Sequence, residues 1–325
     1  MRRLLVVLLA VLVVFSPAAP ASAHGSGGST DYRVEFTTVT GSLDGVELRI
    51  RALGERLEIT RTTASEVFVL GYEGEPYLRL DAEGVWRNAA SPATYLNENR
   101  YAQVALPATA DAKAAPRWDH LATGNTVAWH DHRAHWMSPT APPITSSEPD
   151  VEHVVYEDSV QLRIDGRDVS VGTRITWVPT PATTWWLAAA GGLGAAMVGL
   201  ALWRRRAAAV LAATAALTSL VTRPAGPVWL VLPLIAVVLA AIGLVRRDAR
   251  VTAAAALAAV VTASLRLDAV QRALLPGSLS PTLQRIAVVT TLALGAGAIV
   301  GATSGTRRPA PGGLSGPRSS PSASG

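Results

Sequence analysis

The chain of 325 residues contains no cysteine. Disulfides, thiolate zinc sites and cysteine nucleophiles are therefore excluded, and a metal would have to be held by imidazole, carboxylate, methionine or the amino terminus. Charge is missing over long stretches as well. Five segments carry no Asp, Glu, Lys, Arg or His: Trp185–Trp203, Ala207–Thr222, Val228–Val245, Val251–Leu265 and Ile286–Gly305. Ionisable groups within lipid are costly and mark ion paths and proton relays. Their absence here argues against a proton-coupled pump or a carrier of charged substrates. No basic face interleaved with stacking aromatics accompanies the positive net charge, which argues against nucleic acid.

The two ends have their own character. Arg2 and Arg3, the apolar run Leu4–Phe15 and the small-residue site Ala21-Ser22-Ala23 form the pattern of a secretory signal peptide over residues 1–23. Residues 306–325, rich in Pro, Gly and Ser, carry too little apolar material to offset chain entropy and read as a disordered tail. The net charge of +5 conceals a division. His24–Pro181 holds 14 basic and 22 acidic residues, a balance of −8, while the remainder holds 15 against 2, a balance of +13.

A bilayer core of about 30 Å needs roughly twenty helical residues. The first, third and fifth apolar segments approach that length; the second and fourth are shorter and rich in alanine. Arg204-Arg205-Arg206, then Arg246-Arg247 with Arg250, then Arg307-Arg308 follow the first, third and fifth segments. With His24 exported, each cluster falls on the cytoplasmic side, as the positive-inside tendency expects. The sequence thus predicts five transmembrane helices within residues 182–305, outer loops at Arg223–Pro227 and Arg266–Arg285, and a cytoplasmic C-terminus. The arginines of the second outer loop run against the pattern. Gly297, Gly301 and Gly305 form a small-residue face suited to close helix packing, within this bundle or between copies.

Residues 24–181 read as an extracytoplasmic domain. Val46, Leu48 and Ile50 alternate with Glu47, Arg49 and Arg51; Leu57 and Ile59 repeat the scheme; Val67–Leu70 is apolar on both faces and suits a central strand. Asp165-Gly166 between two alternating runs predicts a tight hairpin, and Asp44-Gly45 a similar turn. With no sustained helical periodicity, the expected fold is a mainly β, antiparallel, immunoglobulin-like sandwich followed by an all-α bundle.

Two stretches, Gly71–Tyr101 and Pro116–Pro143, mix aromatics with carboxylates, amides and arginine. Within the second, "WHDHRAHWM" places His130, His132 and His135 between Trp129 and Trp136, half of the chain's six histidines. On an extended strand His130 and His132 share a face, a spacing that can bind zinc or copper through imidazole, while His135 would need a bend to join them. Cleavage after Ala23 would make His24 the first residue, its amine and imidazole able to chelate copper together. The competing reading is a buried polar network, with imidazoles donating to backbone carbonyls and to Asp131. Catalysis is a third, but neither Ser91 nor Ser138 sits in a nucleophile-elbow pattern.

The wording "GYEGEPYLRL", "SPATYLN", "PRW" and "WHDHRAHWM", followed by apolar segments, resembles an actinobacterial group of exported, membrane-anchored proteins of uncharacterised function. That resemblance implies a bacterial cell-envelope location and no particular chemistry. A mature His24 start is similar to that of CopC-like copper-binding sandwiches and copper monooxygenases, a likeness of one residue. The sequence favours a non-enzymatic, membrane-integral envelope protein whose exported domain binds an envelope protein or a cell-wall component. The alternatives are a copper- or zinc-binding ectodomain and a membrane-tethered hydrolase.

Overall fold

A computed structural model of the chain describes residues 30–204, 206–222 and 227–304. The expected signal peptide, His24, Arg205, most of the loop at Arg223–Pro227, Gly305 and the C-terminal tail lie outside the described residues. The chain divides into two units. One comprises the described residues up to Ala188 together with Leu265–Val288; the other comprises Ala189–Ser264 and the residues from Val289 onward.

The first unit contains two antiparallel sheets. The larger has seven strands in the order β1 (Tyr32–Thr40), β10 (Arg167–Trp177), β9 (His153–Ile164), β4 (Val67–Leu70), β5 (Pro76–Asp81), β6 (Gly84–Asn88) and β7 (Trp118–Ala122). The smaller joins β2 (Val46–Arg51), β3 (Arg56–Arg61) and β8 (Thr126–Trp129). β4, apolar on both faces, is central between β9 and β5. The β9–β10 hairpin turns on Asp165 and Gly166, whose φ of 47° and 75° give the mirror-image turn that matches strand twist. Alternation fixes which side each strand buries: Leu57 and Ile59 from the small sheet are buried with Val67, Val69, Leu78 and Leu80 from the large one in a single core. Each such side chain contributes about 1.5–3 kcal/mol by leaving water.

The same unit includes the segment after Leu265, which is bound to the start of β1. Thr30 and Leu274 exchange backbone hydrogen bonds of 3.0 and 2.8 Å. The buried Asp31 carboxylate accepts from Arg272 Nη1 at 2.6 Å and from Ala273 N at 2.8 Å. Arg285 caps the carbonyls of Ala269, Arg272 and Ala273, and Arg266 pairs with Gln284 and Asp268. The arginines that ran against the loop-charge pattern are thus tied to local carbonyls, Gln284, Asp268 and Asp31.

Besides two short helices, α1 (Pro92–Leu96) and α2 (Ile144–Ser147), five helices follow: α3 (Thr183–Trp203), α4 (Ala207–Thr222), α5 (Val231–Arg246), α6 (Ala249–Ser264) and α7 (Pro281–Ser304). Among the described residues, three are long and apolar enough to cross a membrane: Thr183–Trp203, Pro227–Arg246 (α5 with the 3-10 turn before it) and Pro281–Ser304. At 16 residues each, α4 and α6 reach about 24 Å. Their alanines, including Ala212, Ala215, Ala255 and Ala259, fill the core of the second unit, where small side chains let helix backbones approach closely. Exposed Trp185 and Trp203 stand at the two ends of α3, the positions favoured by amphipathic rings at bilayer interfaces. Gly297 packs on Met197, and Gly301 on Ala201 and Ala208, all of this chain.

Candidate functional site

The four motif stretches form one hydrogen-bonded body. Ser91 caps α1 with Pro92 at its first position, and its hydroxyl donates to buried Glu75 at 2.5 Å. Buried Asn88 donates to Pro76 O at 2.7 Å and accepts from the backbone N–H groups of Ala90 and Arg117, each at 2.9 Å. Tyr72 donates its hydroxyl to Asn97 and accepts from His132 N at 3.1 Å. Burial, with the nearby Asp131 charge, pushes the Tyr72 hydroxyl far above its ordinary range.

The expected extended strand through the histidines is not what forms. β8 ends at Trp129, and residues His132–Ala134 make a 3-10 turn. The reason is local. Asp131 occupies the cap position, where its carboxylate accepts from Arg133 N at 3.0 Å and competes with strand geometry. The same carboxylate takes Arg133 Nε at 2.9 Å, Arg133 Nη2 at 2.8 Å and the indole N–H of Trp129 at 2.8 Å. Asp131 and Arg133 are 2% and 6% exposed, so their ion pair is buried. Burial alone would raise the Asp131 carboxyl, but the bonds and charge of Arg133 and the Trp129 N–H outweigh it and hold the group below its usual range. Arg133 also donates to Leu70 O at 3.1 Å, lies 5.0 Å from the Tyr72 ring, and presents its carbonyl to Thr173.

The turn brings all three histidines together. Ring centres are 4.1 Å apart for His130 and His135, 5.3 Å for His130 and His132, and 5.4 Å for His132 and His135. Each ring is anchored on a backbone carbonyl from another segment: His130 Nδ1 on Glu55 at 2.8 Å, His132 Nε2 on Asn99 at 2.9 Å, and His135 Nε2 on Arg100 at 2.7 Å. A carbonyl only accepts, so these nitrogens carry the protons. His135 Nδ1 has a longer contact of 3.3 Å with Asp131 O, and His130 Nε2 is buried without a well-formed hydrogen bond. Burial lowers the proton affinity of all three rings, that of His135 to a pKa of about 3. Among the described residues no group of three His, Asp or Glu side chains is arranged, as it stands, to hold a metal ion.

His132 and Arg133 also line a cleft of about 210 Å³ with Tyr72, Met137, Tyr156 and Asp158. Tyr156 and Asp158 lie on β9, too far along the chain for spacing to connect them with the histidines. His120 and His153 are elsewhere, beside Trp86 and Trp177. Arg79, which sequence reasoning missed, sits 4.9 Å from both the Trp86 and Trp118 rings, and cross-strand pairing with Trp86 was the signal that could have found it. Ser91 and Ser138 bond to Glu75 and Thr140 rather than to a histidine. Comparison with protein-family models, with curated proteins and with solved structures returned no match.

Proposed function

We propose that this chain is a multi-pass protein of the bacterial plasma membrane whose exported β domain, a sandwich of the two sheets, is a ligand-binding module at the outer surface. The cleft at Tyr72, His132 and Asp158 is its binding face. The observation that carries the reading is the clasp between residues 30–31 and 272–274. Three spans and five spans, counted from an exported N-terminus, both put the loop before α7 on the side of the β domain. The clasp, which needs both segments on one side, supports that placement.

Five spans are favoured because they leave Arg246, Arg247 and Arg250 in the cytoplasm. The short α4 and α6 would then cross where the bilayer thins or where flanking arginines snorkel. Alkaline phosphatase fused after Pro276 is expected to be active, and fused after Asp248 to be inactive. Activity at both points reduces the count to three spans. Inactivity after Pro276 overturns the placement of the β domain, and with it the reading.

A further inference from the structure

We propose that His130, His132 and His135 form a three-imidazole site for a transition-metal ion of the copper or zinc class, entered through the cleft at His132. The inference rests on the reading of the β domain as a binding module and names its ligand. Three observations carry it.

The first is spacing. An ion about 2.1 Å from three imidazole nitrogens in tetrahedral geometry sets the ring centres roughly 5 Å apart. The separations here are 4.1, 5.3 and 5.4 Å. The second is the anchoring pattern. Metal-binding histidines donate their other ring N–H to a carboxylate or a carbonyl, which fixes the tautomer and orients the ring. Each ring does so, on Glu55, Asn99 and Arg100. That leaves His130 Nε2, His132 Nδ1 and His135 Nδ1 as the nitrogens with free lone pairs. The third is the unpartnered nitrogen itself. Buried polar atoms are nearly always bonded, and His130 Nε2 is buried with no well-formed hydrogen bond, the Arg100 carbonyl that bears on the ring being taken at 2.7 Å by His135 Nε2.

The network reading accounts for the carbonyl bonds but not for that nitrogen. The free nitrogens do not yet share one point. Histidine χ2 is a broad torsion, so each ring can pivot by a small angle about its carbonyl anchor toward an ion, and the 3.3 Å contact of His135 with Asp131 O is the one that yields. The cleft supplies a way in, and Met137 and Asp158 line it together with His132. Imidazole with a thioether nearby suits copper; imidazole and carboxylate suit zinc.

The test uses the full chain in detergent, stripped with chelator and loaded with Cu(II) or Zn(II) alone. About one tightly held ion per chain is expected in the wild type and in His24→Ala, with affinity at least 100-fold weaker in His130→Gln with His132→Gln and in His135→Gln. Electron paramagnetic resonance of the copper form is expected to show coupling to three nitrogens. A wild-type measurement guards against variants that fail to fold: bound ion protects His130, His132 and His135 from diethylpyrocarbonate, as mapped by mass spectrometry. No bound ion in the wild type, no protection of these three rings, or loss of the ion only in His24→Ala overturns the site. The fusion reporters are independent of metal, so failure here is distinguishable from failure of the membrane placement on which the module reading rests.

Discussion

Asp131→Ala isolates the contact that shapes the site. The substitution removes the acceptor for four hydrogen bonds, three from Arg133 and one from the Trp129 indole, in a place where Arg133 is 6% exposed. Water cannot replace the lost partner, so a guanidinium is left buried without its counter-charge. Breaking a buried pair from one side costs about 3–5 kcal/mol. For a domain of this size each kcal/mol lowers the melting temperature by about 2–4 °C, giving an expected fall of roughly 6–20 °C. The assay is thermal unfolding of the purified, metal-free full chain, followed by near-ultraviolet circular dichroism. Asp131→Asn keeps the shape and one acceptor and is expected to fall between. Asp131→Ala combined with Arg133→Met removes the stranded cation and is expected to recover part of the loss, though Leu70 O then lacks its donor. A single variant melting within about 2 °C of wild type, or a double variant no better than the single, would refute the argument.

Gly297→Val tests the helix contacts. A Cβ at Gly297 would sit 2.8 Å from the Met197 carbonyl carbon and from Met197 Cβ, so the bundle must shift. The expected cost is about 1–3 kcal/mol in detergent unfolding, with cross-linking between copies unchanged; a selective loss of dimers would reverse the assignment. Asp81 supplies a pH dependence. Burial raises its carboxyl, but the Trp86 indole N–H, the Arg79 charge and the N–H groups of Glu83 and Gly84 outweigh it, and the folded value is lowered. The resulting stability is present above the unfolded value of about 4 and is lost as pH falls through the folded one. Trp86 fluorescence is expected to report that loss, and Asp81→Asn to flatten it; an unchanged acid profile in the variant would count against the assignment.

Period-two alternation was enough to place Leu57 and Ile59 inward, an apolar run on both faces to make Val67–Leu70 central, and an Asp-Gly pair between alternating runs to set the hairpin at Asp165-Gly166. Absence of charge located the five helices that follow Thr183 among the described residues, three of them long enough to cross a membrane. The turn at His132 escaped because alternation sees only side-chain polarity. The deciding event is Asp131 bonding its own backbone two residues on, and an aspartate before a cationic residue was the available sign. The clasp escaped for a different reason. Nothing local in "STDYR" announces a partner near Arg272; such pairings are specified by shape and hydrogen bonding across the fold.

The clasp also orders events in time. Asp31 and Ala273 are 242 positions apart, and a ribosome adding about 5–20 residues per second needs roughly 12–50 s to make the chain between them. The sheet domain is synthesised early, yet the lead-in to its first strand waits for the last interhelical loop to emerge. A chain arrested before that loop would leave Asp31 without Arg272 and Ala273, so completion of the earliest-made domain doubles as a record that the chain has been made through α6.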